Sequence, residues 1–395
     1  MQKKTVRDED VAGKRVLVRV DFNVPMDRNG KIEDDTRIRA CRPTITYLID
    51  HKARVILCSH LGRPHGRVDE HLRLGPVARR LSEIVQRPVE ALREAIGPGV
   101  VRAVSGMQDG ELVLLENLRF YPGEEENDPG FARELSSLAD LFVNDAFGVS
   151  HRAHASVVGL AAYLPCVAGL LMEKEIEQLS RLLEDPARPF AAVMGGAKVE
   201  EKIGILENIL PKVDLVLIGG GMVATFFNGR GYNVGISSVE PDKRELVGTI
   251  MRKAEALGVR VLLPEDVVVA EKLESGATAR VVSSEQIPAD CRIADIGPLT
   301  ISTYTKELKK CRTVVWNGPM GVFEIPQFSE GTTSIATVLA SLNATTVIGG
   351  GSTAEAVTQL GIAGRMTHVS TGGGASLRFL SGKILPGIAV LADKE

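Results

Sequence analysis

Arg37, Arg63, Arg119 and Arg152 each lie beside a turn or directly after an apolar run, with His60 near them in the first half of the chain. Guanidinium groups bind phosphate and carboxylate bidentately, so jointly these residues fit a basic pocket for a small acid bearing either group. Taken singly, each is an ordinary surface side chain. His60 with His65 and His71, or His151 with His154, could suggest a metal. No cysteine or carboxylate completes either set at a familiar spacing, so a pocket or structural role is expected. No local signature supports Ser-His-Asp or Cys-His nucleophilic catalysis.

The second half carries glycine where the first carries charge: Gly195-Gly196, Gly219-Gly220-Gly221, Gly349-Gly350-Gly351 and Gly372-Gly373-Gly374. Glycine after a strand admits close approach of a ligand to the backbone, and a helix beginning there offers N–H groups and a dipole to anions. A tight turn explains any one cluster equally well. Lys198 and Lys202 follow the first cluster four residues apart. On one helix they would share a face and neutralise a polyphosphate, or simply pair with Glu200 and Glu201 on a solvated surface. Gly219 to Ala224 and Gly349 to Ala354 match G-x-G-x-x-A, near the dinucleotide fingerprint. Its acidic partner is poorly met, because Glu240 precedes Pro241 in a polar turn. There is no G-x-x-x-x-G-K-[ST] and no H-R-D with a later D-F-G, which excludes P-loop and protein-kinase folds.

These groups need elements to hold them. Short apolar runs recur at Arg15 to Val20, Val55 to Cys58, Leu112 to Leu115, Leu141 to Val143, Phe190 to Met194, Leu215 to Ile218, Val259 to Leu263, Thr313 to Trp316 and Thr345 to Ile348. Amphipathic stretches such as Leu74 to Val85, Lys243 to Leu257 and Thr332 to Leu342 separate them. That alternation predicts α/β architecture with parallel sheets covered on both faces, and ligands at the carboxyl ends of the strands. So many strands in 395 residues predict two Rossmann-like domains, with Leu170 to Leu183 as a helix joining them. The net charge of −3 argues against a general nucleic-acid or anionic-membrane binder. The five cysteines lack metal-ligand spacing and read as free thiols of a reducing compartment. The charged stretch Met1 to Asp10 does not read as a signal peptide. Ala155 to Met172 is uncharged but broken by Pro165, Gly159 and Gly169, so a buried strand or loop leading into a helix is expected, not a membrane span.

Several blocks carry a family resemblance: Arg19-Val-Asp21-Phe-Asn23-Val-Pro25, Glu116-Asn-Leu-Arg119-Phe-Tyr-Pro-Gly123, Asp145-Ala-Phe-Gly-Val-Ser-His151-Arg152, Gly195-Gly-Ala-Lys198, Trp316-Asn-Gly-Pro-Met-Gly-Val-Phe-Glu324 and Thr371-Gly-Gly-Gly-Ala-Ser376. Together they resemble the phosphoglycerate kinase family, in its order and over nearly the whole chain. The resemblance implies two domains facing across a cleft: 1–168 with 383–395 returning to it, a connecting helix 169–184, and a nucleotide-binding domain 185–382. It implies reversible transfer of a phosphoryl group from 1,3-bisphosphoglycerate to ADP, in line and after hinge closure, giving 3-phosphoglycerate and ATP. By matching position, Asp21, Phe22, Asn23, Arg37, His60, Leu61, Gly62, Arg63, Arg119 and Arg152 would hold phosphoglycerate. Arg37, Lys198, Gly372 and Gly373 would carry catalysis. Gly195, Ala197, Lys202, Gly219, Gly220, Gly221, Asn317, Pro319, Glu324, Gly350, Gly351, Ser352 and Thr353 would bind the nucleotide.

The chemistry agrees with the residue types. A carboxylate acceptor is ionised at neutral pH and needs no general base, so positioning and charge neutralisation suffice. Mg²⁺ is the implied cofactor, travelling with ATP or ADP. The family's usual aspartate ligand is here Ser352, which with Glu355 also reads as a capping box starting a helix at Ser352. The expected setting is a cytoplasmic monomer with no nucleic-acid or membrane partner. A non-catalytic metabolite-binding relative of the same fold is the alternative, and a nicotinamide dehydrogenase stands third.

Overall fold

The computed structural model describes residues 2–394, the side chain of Glu201 excepted. Contacts along the chain divide it into two compact units, Met1–Glu177 with Ile384–Glu395, and Gln178–Lys383.

The first unit is built on strands β1 (Arg15–Arg19), β2 (Arg54–Cys58), β3 (Glu90–Ala91), β4 (Leu112–Leu114), β5 (Leu141–Asn144) and β6 (Cys166–Ala168). All pair in parallel, in the order β3-β4-β2-β1-β5-β6. Alternate side chains explain why these runs are apolar throughout. Val16, Val18, Val55 and Leu57 pack with Ile38, Ile45, Val77 and Leu81 of the helices Thr36–Asp50 and Gly75–Val85. Leu17, Ile56 and Phe142, pointing the opposite way, are also fully buried. The chain leaves β1 towards β2 on one side and returns as β5 on the other, so the carboxyl ends of β1 and β5 form a topological switch point.

The second unit has a parallel sheet of β7 (Phe190–Met194), β8 (Leu215–Ile218) and β9 (Arg260–Leu262), then, after an excursion, β13 (Thr313–Asn317), β14 (Thr345–Gly349) and β15 (His368–Val369). Its order is β15-β14-β13-β7-β8-β9, which puts a second switch point at the adjacent ends of β7 and β13. The excursion is a separate antiparallel sheet of β10 (Asp266–Ala270), β11 (Arg280–Ser283) and β12 (Arg292–Ile296), in the order β11-β10-β12. Purely parallel pairing was the sequence expectation, and this sheet departs from it. β11 is largely exposed and leaves no apolar run, whereas β10 carries the short, largely buried run Val267 to Ala270 directly after Asp266 and pairs in antiparallel fashion with both neighbours.

The segment Ala155 to Met172 contains a 3-10 turn (Gly159–Ala162), then β6, then the start of the helix Leu170–Glu184. Among the described residues no helix is long and apolar enough to cross a membrane. The Leu170–Glu184 helix starts against the first unit. Asp145, just past β5, accepts the N–H groups of Leu171 at 2.9 Å and Met172 at 3.1 Å, and the Thr44 hydroxyl accepts that of Leu170 at 2.9 Å. Burial pushes the Asp145 carboxyl up to about 6. All five cysteines are free and buried. Burial also raises the thiols of Cys58 and Cys166 to about 12 and that of Cys311 to about 11.

Candidate active site

At the first switch point, the end of β1 carries Arg19, a guanidinium only 1% exposed. Its Nε donates to the Ser156 hydroxyl at 2.8 Å, Nη1 donates to the Val20 carbonyl, and Nη2 lies 3.3 Å from His60 Nδ1. A guanidinium can only donate, so His60 accepts at Nδ1, is neutral, and keeps its proton on Nε2. Burial holds the His60 pKa well below the usual histidine value, and Arg19, Arg119, Arg37 and Arg152 reinforce the effect. The four cations that repel a proton from one ring must converge on it.

Backbone and amide contacts fix the rest of the cluster. Arg37, in the first turn of the Thr36–Asp50 helix, pairs with Asp21. Asn23 accepts the N–H of Gly62 at 2.9 Å, and Arg119 donates to the Gly62 carbonyl at 2.7 Å while lying 3.3 Å from Glu125. Gly62 adopts a φ of 63°, in the region that favours glycine. Asn117 accepts the Leu61 N–H and donates back to its carbonyl. Beneath them Glu124 is completely buried. Burial pushes its carboxyl up, but hydrogen bonds from His154 and Ser156 and the charge of Arg19 outweigh that and hold it below its ordinary value.

The structure thus brings together Asp21, Asn23, Arg37, His60, Gly62, Arg119 and Arg152. Arg63 is exposed on the same loop. Phe22 and Leu61 are buried, and their N–H groups are spent on Ser59 and Asn117, so they shape the pocket and offer it no free donor. Sequence reasoning missed Arg19 and its support from Ser156 and Glu124. The available signal was a basic residue closing a run otherwise destined for the core.

At the second switch point the glycine clusters pack on one another. Gly195 N donates to the Asn317 carbonyl at 2.9 Å, Gly196 N to Pro319 at 2.9 Å, and Gly220 N to Met320 at 2.8 Å. A Cβ on Gly195 or Gly220 would overlap the Pro319 carbonyl, and one on Gly219 would overlap Met320. These glycines have a packing reason. Gly351 has none, because a Cβ there would meet nothing within 4 Å, and Gly373, equally open, is called for only by its positive φ of 49°. They begin the helices Gly351–Gln359 and Gly374–Leu380, whose first N–H groups lack partners within the helix. Beside Gly349 and Gly350 lies Asn317, fully buried, with neither side-chain polar atom hydrogen-bonded to the protein. Such a group costs about 1–3 kcal/mol unless something else pairs with it. The Thr353 hydroxyl accepts the Gly318 N–H at 2.7 Å and ties the two elements together.

The structure departs from expectation at Lys198 with Lys202, at Glu200, at Ser352 and at Gly372. Lys198 does not share a helix with Lys202: the helix is Glu200–Ile209, Lys198 precedes it, and Lys202 lies in its first turn. The amides at that helix start already face a carboxylate, because Glu240 accepts from Val199 N at 2.6 Å and Glu200 N at 3.3 Å. Glu240 is therefore a cap and not the acidic partner of a dinucleotide fingerprint. Glu200 pairs with Lys243 at 3.4 Å, while the Glu201 side chain lies outside the described residues. Ser352 does not cap its helix: Gly350, with a φ of 87°, is the N-cap, and Glu355 accepts from Gln359 at 3.0 Å. The N–H of Gly372 is also spent, on the Ser370 hydroxyl at 3.1 Å.

Among the described residues no group of three His, Cys, Asp or Glu side chains is placed to hold a metal ion. Surface hollows of about 660 and 640 Å³ in the first unit include no residue of the arginine cluster, and their linings mix both signs of charge.

The model of the family Phosphoglycerate kinase matches residues 6–383. The chain belongs to the phosphoglycerate kinase family. It is 59% identical over 394 residues to the phosphoglycerate kinase of Pelotomaculum thermopropionicum and 54% identical over 398 residues to that of Dictyoglomus turgidum, each match covering 100% of both chains. Among solved structures, the phosphoglycerate kinase of Coxiella burnetii superposes with a TM-score of 0.87 at 42% identity, covering 98% of both chains. That of Pyrococcus horikoshii gives 0.85 at 35% identity, also covering 98% of both. With family membership comes the enzyme class, an ATP-dependent phosphotransferase whose acceptor is a carboxyl group.

The neutral state of His60 has a measurable sign. An unfolded histidine titrates near about 6.5, and the folded site titrates well below that value. Above about pH 6.5 both states are unprotonated there and the full contribution is present; as pH falls, the unfolded chain gains a proton that the folded site refuses, and stability declines. Urea denaturation between about pH 7.5 and pH 5.5 should show the parent losing more stability than His60→Gln. Parallel losses would contradict a neutral buried His60.

Proposed function

We propose that this phosphoglycerate kinase binds the phosphoglycerate moiety at the arginine cluster of the first unit and the nucleotide at the β7/β13 switch point of the second. It would pass the phosphoryl group of 1,3-bisphosphoglycerate directly to ADP, giving 3-phosphoglycerate and ATP, and run the reaction in reverse. The observation that carries this reading is the pairing of two unlike sites: cations converging on a neutral His60, and a buried, unpartnered Asn317 beside glycine turns open to a ligand.

In this reading Arg37, Arg63, Arg119 and Arg152 neutralise the acid, with His60 donating from Nε2 and Asp21 and Asn23 ordering the loop. Asn317 spends its amide on the nucleotide, Glu324 meets the ribose, and Gly219 to Gly221 border the base. The amides at the starts of the Gly351–Gln359 and Gly374–Leu380 helices receive phosphate oxygens. Lys198 and Arg37 face the phosphoryl group in transit. The acceptor is already an anion, so charge compensation and alignment supply the rate, and both ligands must be carried together in a site that excludes water. Mg²⁺ bound with the nucleotide supplies further compensation of phosphate charge. The exposed Ser352 hydroxyl in the first helical turn would be its protein-side contact, a neutral ligand that would leave most of the ion's coordination to phosphates and water. The setting is cytoplasmic and the unit of function is the monomer.

A coupled assay of ATP formation from 1,3-bisphosphoglycerate and ADP tests the whole reading. Absence of turnover would favour a binding protein of the same fold. Lys198→Ala is expected to lower kcat by about 100-fold or more while ADP affinity by calorimetry stays near the parent value. A large affinity loss with turnover retained would remove Lys198 from its role. Arg37→Ala and Arg152→Ala should each weaken 3-phosphoglycerate binding by about 1.5–3 kcal/mol and leave ADP binding alone; equal weakening of both ligands would refute the division of sites. Ser352→Asp should lower the Mg²⁺ concentration giving half-maximal rate. The helix tolerates the change because its cap is Gly350 and an acidic group suits its first turn. An unchanged Mg²⁺ requirement would remove Ser352 from the metal's surroundings.

A further inference from the structure

Two carboxylates on the antiparallel sheet do similar work. Asp266, on β10, accepts the N–H groups of Leu299 at 3.0 Å and Thr300 at 2.8 Å and so caps the helix Pro298–Leu308. Asp295, on β12, accepts the N–H of Gly331 at 2.7 Å, in the first turn of the helix Glu330–Ser341, and that of Ile296 at 2.9 Å. Asp295 differs in what else it touches. Its carboxylate fills the space that a Cβ on Gly321 would need, and the carbonyl of neighbouring Ala294 accepts the Val322 N–H at 2.9 Å. Gly321 and Val322 lie in the loop that runs from the end of β13 to Glu324. From the other side Thr332, one residue past Gly331, accepts the Met320 N–H at 3.0 Å. A single carboxylate therefore stands between a helix start and the loop whose Pro319 and Met320 carbonyls hold Gly196 and Gly220.

Asp295 is 1% exposed, and burial pushes its carboxyl up to about 7, opposed by the Gly331 and Ile296 amides. An asparagine would match its outline without a charge, but offers one acceptor oxygen to two N–H donors. Two acceptors are required at this place, and a carboxyl group supplies both oxygens.

We propose that Asp295 is a positioning residue for the nucleotide, fixing the loop Gly318 to Glu324 so that Pro319 and Glu324 meet it. This rests on the reading of that loop as a nucleotide contact. The Asp266 cap supplies a matched control, because its carboxylate crowds Gly297, which lies outside the loop.

The test compares Asp295→Asn, Asp266→Asn and Glu324→Ala by ADP calorimetry, steady-state kinetics and thermal denaturation. Asp295→Asn should raise the Kd and KM for ADP about tenfold with KM for 3-phosphoglycerate unchanged, while Asp266→Asn loses stability but binds ADP like the parent. If the two aspartate variants lose stability alike and neither changes ADP affinity while Glu324→Ala does, Asp295 is structural and the proposal falls alone. If Glu324→Ala and Asp295→Asn both leave ADP binding intact, the loop is not a nucleotide contact, and reading and proposal fall together. Should Asp295→Asn fail to fold, Thr332→Val removes the opposite tether of the same loop. It should weaken ADP binding in the same direction; an unchanged Kd there overturns the proposal.

Discussion

Backbone packed directly on backbone at the ends of β7, β8 and β13 is the constraint on which the second unit depends. The Pro319 and Met320 carbonyls accept from Gly196 and Gly220, distances that leave no room for side chains at Gly195, Gly219 or Gly220. Three strand ends are thereby locked to one loop before any ligand is considered. That rigidity is what lets Asn317 remain buried with its amide unpaired: the surroundings cannot relax to satisfy it. Glycine here serves two different ends. At 195, 219 and 220 it permits chain to touch chain, and at 351 and 373 it leaves chain open to something else.

The first unit solves a complementary problem, the holding of many positive charges at one place without self-repulsion breaking the fold. Some of that charge is compensated internally, Arg37 by Asp21 and Arg119 by Glu125, while the buried Glu124 counters Arg19. His60 contributes none, since it is kept neutral. The remaining positive charge gathers around His60. The strand order places this at the sheet's own crevice, so the fold supplies the location and the arginines only the chemistry.

Much of this was legible in the chain. The apolar runs mark the strands of both parallel sheets, because a strand buried on both faces has no polar side to disguise it. The polar residues that follow the first set of runs and the glycines that follow the second separated the two kinds of site. Other features were hidden for physical reasons. β3 is two exposed residues long, and β11 is an exposed edge, so neither leaves a hydrophobic trace. The capping role of Glu240 acts across 41 positions, from Glu240 to Val199, where no local pattern reaches. Ser352 and Glu355 have a capping-box spacing, yet the positive φ of Gly350 ends the turn two residues earlier. Arg19 was visible only as a motif letter, because its burial is a property of the folded sheet.

The single tryptophan carries an optical consequence. Trp316 is fully buried on β13, and its indole Nε1 donates to the Gly318 carbonyl at 2.8 Å, one peptide from the residues that clasp the glycine turns. Indole emission responds to the dipoles around its ring, and here its hydrogen-bond partner is the first peptide of the loop that clasps the glycine turns. The protein thus contains a built-in fluorophore sited at its second switch point. Its intrinsic emission is a native gauge of that loop, read without a label, while the first unit, whose aromatic residues are all phenylalanine and tyrosine, stays dark at the wavelengths that excite tryptophan alone.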